Sequence, residues 1–151
     1  MRVVADSSFP HDLALWSKPF GTYLREAAGD SIIGSVGKLI QQQIRDCDLI
    51  GRYHRDDFLI LAPCPLGQGK VIAQRIRDAV QNEVFLFEGK RLKTSVAIGI
   101  TAYPEHGRLL RDLFGGAYAA LSIIREWNTS SCLIYDPAQH SRKKINNEST
   151  S

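Results

Sequence analysis

The sequence has no apolar run close to the ~18–20 residues that a membrane-spanning helix needs. Its N-terminus lacks the basic and then apolar pattern of a secretory signal. Cysteine is scarce: Cys47, Cys64 and Cys132 are the only three, and none forms a CxxC pair. An odd, scattered set argues against a disulfide framework and against a zinc site, and fits reduced thiols in the cytoplasm. A parent protein can still carry a membrane anchor elsewhere. Clustered positive charge is also missing. The net charge is +3, and the one short basic run is Arg142-Lys143-Lys144, which gives no strong signal for nucleic acid or for an anionic membrane. Gly115-Gly116 is not followed by Lys-Ser/Thr, so it is no phosphate loop. No repeat or low-complexity block occurs.

What remains is an ordinary globular composition in 151 residues, 44% hydrophobic and 23% charged, enough for one domain with a real core. Arg2 to Ala5 reads as a short strand, and Asp12 to Trp16 as another, short and apolar. From Asp30 to about Asp46 the pattern turns helical. Ile32, Ile33, Val36, Leu39, Ile40 and Ile44 make one apolar stripe, with Asp30 as the N-cap. Leu49 to Ala62 reads as two strands around a tight turn at His54-Arg55-Asp56. Lys70 to Glu83 is a second amphipathic helix. Val84 to Phe87 and Leu92 to Thr101 read as a second hairpin, and SVAIGITAY has the continuous apolar character of a buried strand. Leu109 to Trp127 is a third helix, interrupted near Gly115-Gly116. Cys132 to Tyr135 is a last strand. Helices alternating with hairpins predict an α+β sandwich around a mixed, mostly antiparallel sheet, not a doubly wound parallel one. Residues 1–136 form the expected domain, and 137–151 a polar tail or linker.

The most informative stretch is Arg52-Tyr53-His54-Arg55-Asp56-Asp57-Phe58. Adjacent carboxylates in a tight turn have two readings. Asp is simply common in turns; equally, hard divalent cations beside phosphates take carboxylate oxygens. His106, in a Pro/Gly loop, reads as exposed. Trp16 and Trp127 read as core or interface positions.

Order and spacing along the chain resemble the GGDEF family of diguanylate cyclases. The matching elements are Gly29-Asp30, the helix to Ile44, Arg45-Asp46-Cys47-Asp48 for RxxD, Leu49 to Tyr53, His54 to Phe58 in place of GGDEF, and Leu59 to Pro63. Gln74 to Arg77 is similar to ERIR, and Ser95 to Pro104 to SIGIAxYP. Ala117 to Arg125 is similar to ADxALYxAK, and Leu133 to Tyr135 to the closing strand. The resemblance covers about 125 residues. It implies a mixed sheet flanked by helices, like the palm of class III nucleotide cyclases, which agrees with the reading from pattern alone. The family's opening helix with its DxLTGLxNR motif has no counterpart. Tyr53-His54-Arg55, Asp57 and Phe58 also resemble the degenerate GGDEF domain of CsrD-type regulators.

The departures bear on activity. The family's two glycines let backbone approach GTP phosphates; here they are His54 and Arg55. The metal-binding acid and the second acid become Asp56 and Asp57. An ungapped count back from Gly29-Asp30 puts the first-strand Asp at Leu13, with only Lys18 of that motif kept. Asp6 would need an insertion of several residues. The guanine-reading Asn falls on Gly21, its partner Asp is kept as Asp30, and the phosphate-contacting Lys becomes Arg125. The resemblance therefore implies a catalytically inactive domain, with Mg²⁺ relevant only if some GTP binding remains. The RxxD product-inhibition motif survives as Arg45 and Asp48, with Arg75 as the second arginine. An arginine fork suits the guanine O6/N7 edge and a carboxylate suits N1–H and N2–H. The bland alternative is an i,i+3 ion pair at a helix end. Three functions are thus expected in order: a regulatory domain binding cyclic-di-GMP, a residual cyclase using Asp56, Asp57 and Asp30, and a nucleotide-independent protein or RNA interaction module. A C-terminal EAL-type domain and a homodimer are the partners the resemblance implies.

Overall fold

The computed structural model describes residues 2–6, 21–52, 57–127 and 131–140. The elements run β1 (Arg2–Asp6), α1 (Gly21–Gln43), β2 (Leu49–Arg52), β3 (Asp57–Leu61), α2 (Leu66–Asn82), β4 (Phe85–Phe87), β5 (Lys90–Leu92), β6 (Ala97–Thr101), α3 (Leu110–Trp127), β7 (Cys132–Ile134) and α4 (Pro137–His140). The main sheet has the order β2-β3-β1-β6-β7. β1 is antiparallel to both β3 and β6, and β7 is parallel to β6. This is the mixed α+β sheet expected from the sequence.

Side chains alternate across each strand, and both sheet faces are covered. On one face Ile32, Ile33, Val36 and Ile40 of α1 and Ile72, Ala73, Ile76 and Val80 of α2 pack on Phe58, Ile60, Ile98 and Ile100. On the other, Ala117, Leu121 and Ile124 of α3 pack on Ala97, with Leu59 and Leu133 partly buried beside them. Every residue of β6 is buried, which explains its unbroken apolar run. Cys132 lies beside this core, and burial pushes its thiol up to about 11, so it stays an unreactive protonated group.

Several expected boundaries shift. α1 begins at Gly21, so Asp30 is an exposed residue inside the helix and not its N-cap. Leu24, Arg25, Glu26, Ala27 and Ala28 are good helix formers and extend it backward from the apolar stripe. The second expected hairpin divides. Leu92 closes a separate two-stranded sheet with β4, while Ala97–Thr101 crosses into the main sheet. The β4–β5 turn has positive φ at Glu88 and Gly89, 49° and 76°, the twist that two-residue hairpins favour. α3 runs unbroken through Gly115-Gly116. Gly116 is there for close packing, since a Cβ would lie 2.7 Å from Tyr135 Cδ1 and 3.0 Å from Thr101 Cγ2. Residues 137–140 make a helical turn, where the Asp136 amide donates to His140 Nδ1 at 3.0 Å. The expected strand Asp12–Trp16 and turn His54–Asp56 lie outside the described residues.

Gly99 on β6 is pressed against the backbone carbonyl of Ala117 on α3, whereas Gly34 on α1 faces open space. Gly99→Ala should lower unfolding free energy in a urea titration by about 1–3 kcal/mol, the usual overpacking cost. Gly34→Ala should raise it by about 0.5–1 kcal/mol, since alanine is the better exposed helix residue.

Candidate functional site

β3 carries the end of the degenerate motif. Asp57 is its first residue and Phe58 its second, so the two side chains leave opposite faces of the sheet. Phe58 turns toward α1 and fills the space above Gly37, where a Cβ would lie 3.0 Å from its ring. Asp57 turns toward α3. It is 8% exposed, and the Tyr118 hydroxyl donates to its Oδ2 at 3.0 Å. Asp56, His54 and Arg55 lie outside the described residues.

The pairing register brings a different acid to the central strand. Leu13 lies outside the described residues. That strand is Arg2–Asp6, and Asp6 stands opposite Asp57 on one side and Ala97 on the other. Fourteen residues separate β1 from α1, which is the insertion that a match at Asp6 requires. Asp6 therefore occupies the strand end beside the motif. A divalent cation needs several convergent oxygen donors with open coordination. Among the described residues no group of three His, Cys, Asp or Glu could hold one. Asp57, already accepting from Tyr118 in a buried position, does not fit an Mg²⁺ ligand.

A second constellation gathers where α1 ends. Arg45 and Asp48 form a two-pronged pair: Arg45 Nη2 donates to Asp48 Oδ1 at 3.0 Å and Nε to Oδ2 at 3.3 Å. The Arg45 amide also donates to Oδ2 at 2.8 Å. The Asp48 side chain is 0% exposed and that of Arg45 43%. Burial pushes the Asp48 carboxyl up, but the Arg45 side-chain and backbone donors more than offset it, and it sits below its ordinary value. Arg75 reaches across from α2 and donates to the Gln43 carbonyl, two residues before Arg45. Arg45, Asp48 and Arg75 are thus brought to one corner, each already engaged with the chain. Cys47 is exposed there, its Sγ 3.8 Å from Asp48 Oδ1.

The other predicted positions are dispersed. Asp30 is on the exposed side of α1, and Arg125 falls on α3. His106 is half-buried and accepts the Ala102 amide at Nδ1, 2.8 Å, so it is a loop brace rather than a free imidazole. Trp127 is 58% exposed and belongs to no core. Tyr118 went unread in the sequence. Its contact spans 61 residues, and the available signal was the tyrosine standing where the helix pattern ADxALYxAK has Asp.

A family model for the diguanylate cyclase GGDEF domain matches residues 23–130. The chain belongs to the GGDEF family. It is 34% identical over 110 residues to the diguanylate cyclase TpbB of Pseudomonas aeruginosa, covering 72% of this chain and 25% of TpbB. It is 26% identical over 95 residues to the cyclic di-GMP phosphodiesterase NbdA of the same species, covering 62% of this chain and 12% of NbdA. The solved GGDEF domain of TpbB superposes with a TM-score of 0.80 at 27% identity, over 95% of this chain and 80% of that one. The chain thus spans a quarter or less of the length of these two relatives. No helix among the described residues is long and apolar enough to cross a membrane.

Because the folded Asp48 carboxyl lies below its ordinary value, its contribution to stability is full above about pH 4–5 and is lost as pH falls through the lower, folded value. Urea midpoints measured from about pH 6 down to about pH 2 should therefore drop toward the acid end. In Asp48→Asn the curve should be flatter across that window, and lower at neutral pH.

Proposed function

We propose that this GGDEF domain is catalytically inactive and regulatory, binding cyclic-di-GMP at Arg45, Asp48 and Arg75 and modulating an attached domain or partner. The observation that carries the reading is the preorganised corner at the end of α1: an oriented Arg45–Asp48 pair with Arg75 reaching it from the neighbouring helix. Guanine offers O6 and N7 as acceptors and N1–H and N2–H as donors. Arg45 is the accessible member. A bound guanine competes with Asp48 for the guanidinium edge, and once that edge is exchanged the carboxylate is free to accept from guanine. Arg75 exchanges the Gln43 carbonyl for phosphate or base. The inactive reading is supported by His54 and Arg55 in place of the two glycines and by Asp57 held under Tyr118. NbdA, which resembles this chain, is a phosphodiesterase, and an EAL-type domain after residue 151 fits the same logic.

The register of Asp6 against Asp57 favours a second reading, a residual cyclase acting on GTP. Asp6 restores an acid at the strand end that the ungapped count had lost, and Asp56 would be its partner in holding Mg²⁺. Cyclase chemistry needs two convergent carboxylates and room for the triphosphate, and the large side chains at 54 and 55 oppose the second requirement.

Calorimetric titration of the domain with cyclic-di-GMP should give saturable heat at roughly micromolar ligand, lost in Arg45→Ala and weakened at least tenfold in Arg75→Ala, with both variants checked for native circular dichroism. Absence of heat at high-micromolar ligand, or unchanged binding in Arg45→Ala, refutes the ligand assignment. Incubation with GTP and Mn²⁺ followed by chromatography should yield no product; product that disappears in Asp56→Asn establishes the residual cyclase instead.

A further inference from the structure

We infer that Tyr118 is a latch, a positioning residue whose hydroxyl holds the Asp57 carboxylate inside the contact between β3 and α3 and so withdraws the fourth motif position from divalent-cation chemistry. The inference deepens the inactive reading and rests on it.

Asp57 opens β3 directly after the hairpin, and its carboxylate lies on the α3 face. A buried carboxylate needs a donor, and the Tyr118 hydroxyl at 3.0 Å is one. The helix pattern that this chain resembles has Asp at this position. A second carboxylate could not donate to Asp57 and would repel it; tyrosine replaces that repulsion by a hydrogen bond. Packing fixes the geometry. Tyr118 follows Ala117 of the α3 core, and Leu59, on the same face as Asp57, packs against that core two residues along β3. The phenol therefore has little freedom to swing away. A cation at the hairpin would have to break this hydrogen bond and draw the carboxylate outward. The alternative is that Tyr118 and Asp57 merely tie strand to helix, with no consequence for metal.

The two are separated by Mn²⁺ affinity of the full chain, read from the electron paramagnetic resonance of free Mn²⁺. Tyr118→Phe removes only the hydroxyl. A latch predicts Mn²⁺ binding about three- to tenfold tighter than in the unsubstituted protein, the factor a net hydrogen bond is worth, and cancellation of that gain in Tyr118→Phe/Asp57→Asn. Unchanged Mn²⁺ affinity in a natively folded Tyr118→Phe overturns the latch. Should Tyr118→Phe fail to fold, Tyr118→Met, which also lacks the hydroxyl while filling the space, takes its place. A latch predicts the same tightening there, and unchanged Mn²⁺ affinity in a natively folded Tyr118→Met overturns it. Neither outcome depends on cyclic-di-GMP binding at Arg45 or on product formation from GTP, so the latch and the regulatory reading can fail separately.

Discussion

The burial of β3 on both faces governs the rest of the molecule. It is an interior strand, with β2 on one side and β1 on the other. Successive side chains leave it toward opposite helical layers, so a residue's parity decides which layer it faces. Phe58 and Ile60 go to α1 and α2, while Asp57 and Leu59 go to α3. The same parity that gives the domain its core delivers a carboxylate into an apolar contact, and that carboxylate must then find a donor. Tyr118 supplies it. One strand register thus both ties the sheet to α3 and sets the Asp57 carboxylate under the Tyr118 hydroxyl.

The corner at the end of α1 follows a different logic. The helix closes at Gln43, leaving terminal carbonyls to satisfy. Arg75 covers one of them, and Asp48 gathers the Arg45 amide and guanidinium. A structural cap and a guanine-reading edge need the same groups in nearly the same places. The difference is access: Asp48 is buried and Arg45 is not. In the proposed function, binding at this corner is therefore an exchange of partners rather than the filling of an open pocket. The cost of that exchange belongs to the ligand's affinity.

Much of this was legible in the sequence. The stripe Ile32, Ile33, Val36 and Ile40 predicted a buried helix face, and those side chains are buried. The unbroken run at 95–103 predicted a strand covered on both faces, and β6 is one. RxxD predicted an ion pair or a ligand edge, and the ion pair is present. What escaped was non-local. Arg2 to Ala5 read as a short strand, and β1 is one, but its place at the centre of the sheet beside β3 and β6 is a long-range pairing that periodicity does not show. The start of α1 was missed because good helix formers extended it beyond the apolar stripe. Gly115-Gly116 read as a helix break or as close packing, and Tyr135 and Thr101 against Gly116 show packing there. Tyr118 was missed because its partner is 61 residues away.

The central claim is that ligand chemistry in this domain has moved from the hairpin to the corner formed by Arg45, Asp48 and Arg75. Backbone amide chemical shifts of the ¹⁵N-labelled domain, followed during parallel titrations with cyclic-di-GMP and with GTP plus Mg²⁺, test it directly. The account predicts that cyclic-di-GMP moves the signals of Arg45, Asp48 and Arg75 and leaves Asp57 and Phe58 in place, while GTP and Mg²⁺ move neither set. Shifts centred on Asp57, Phe58 and Asp6 with GTP and Mg²⁺, together with a silent Arg45 in cyclic-di-GMP, would contradict it.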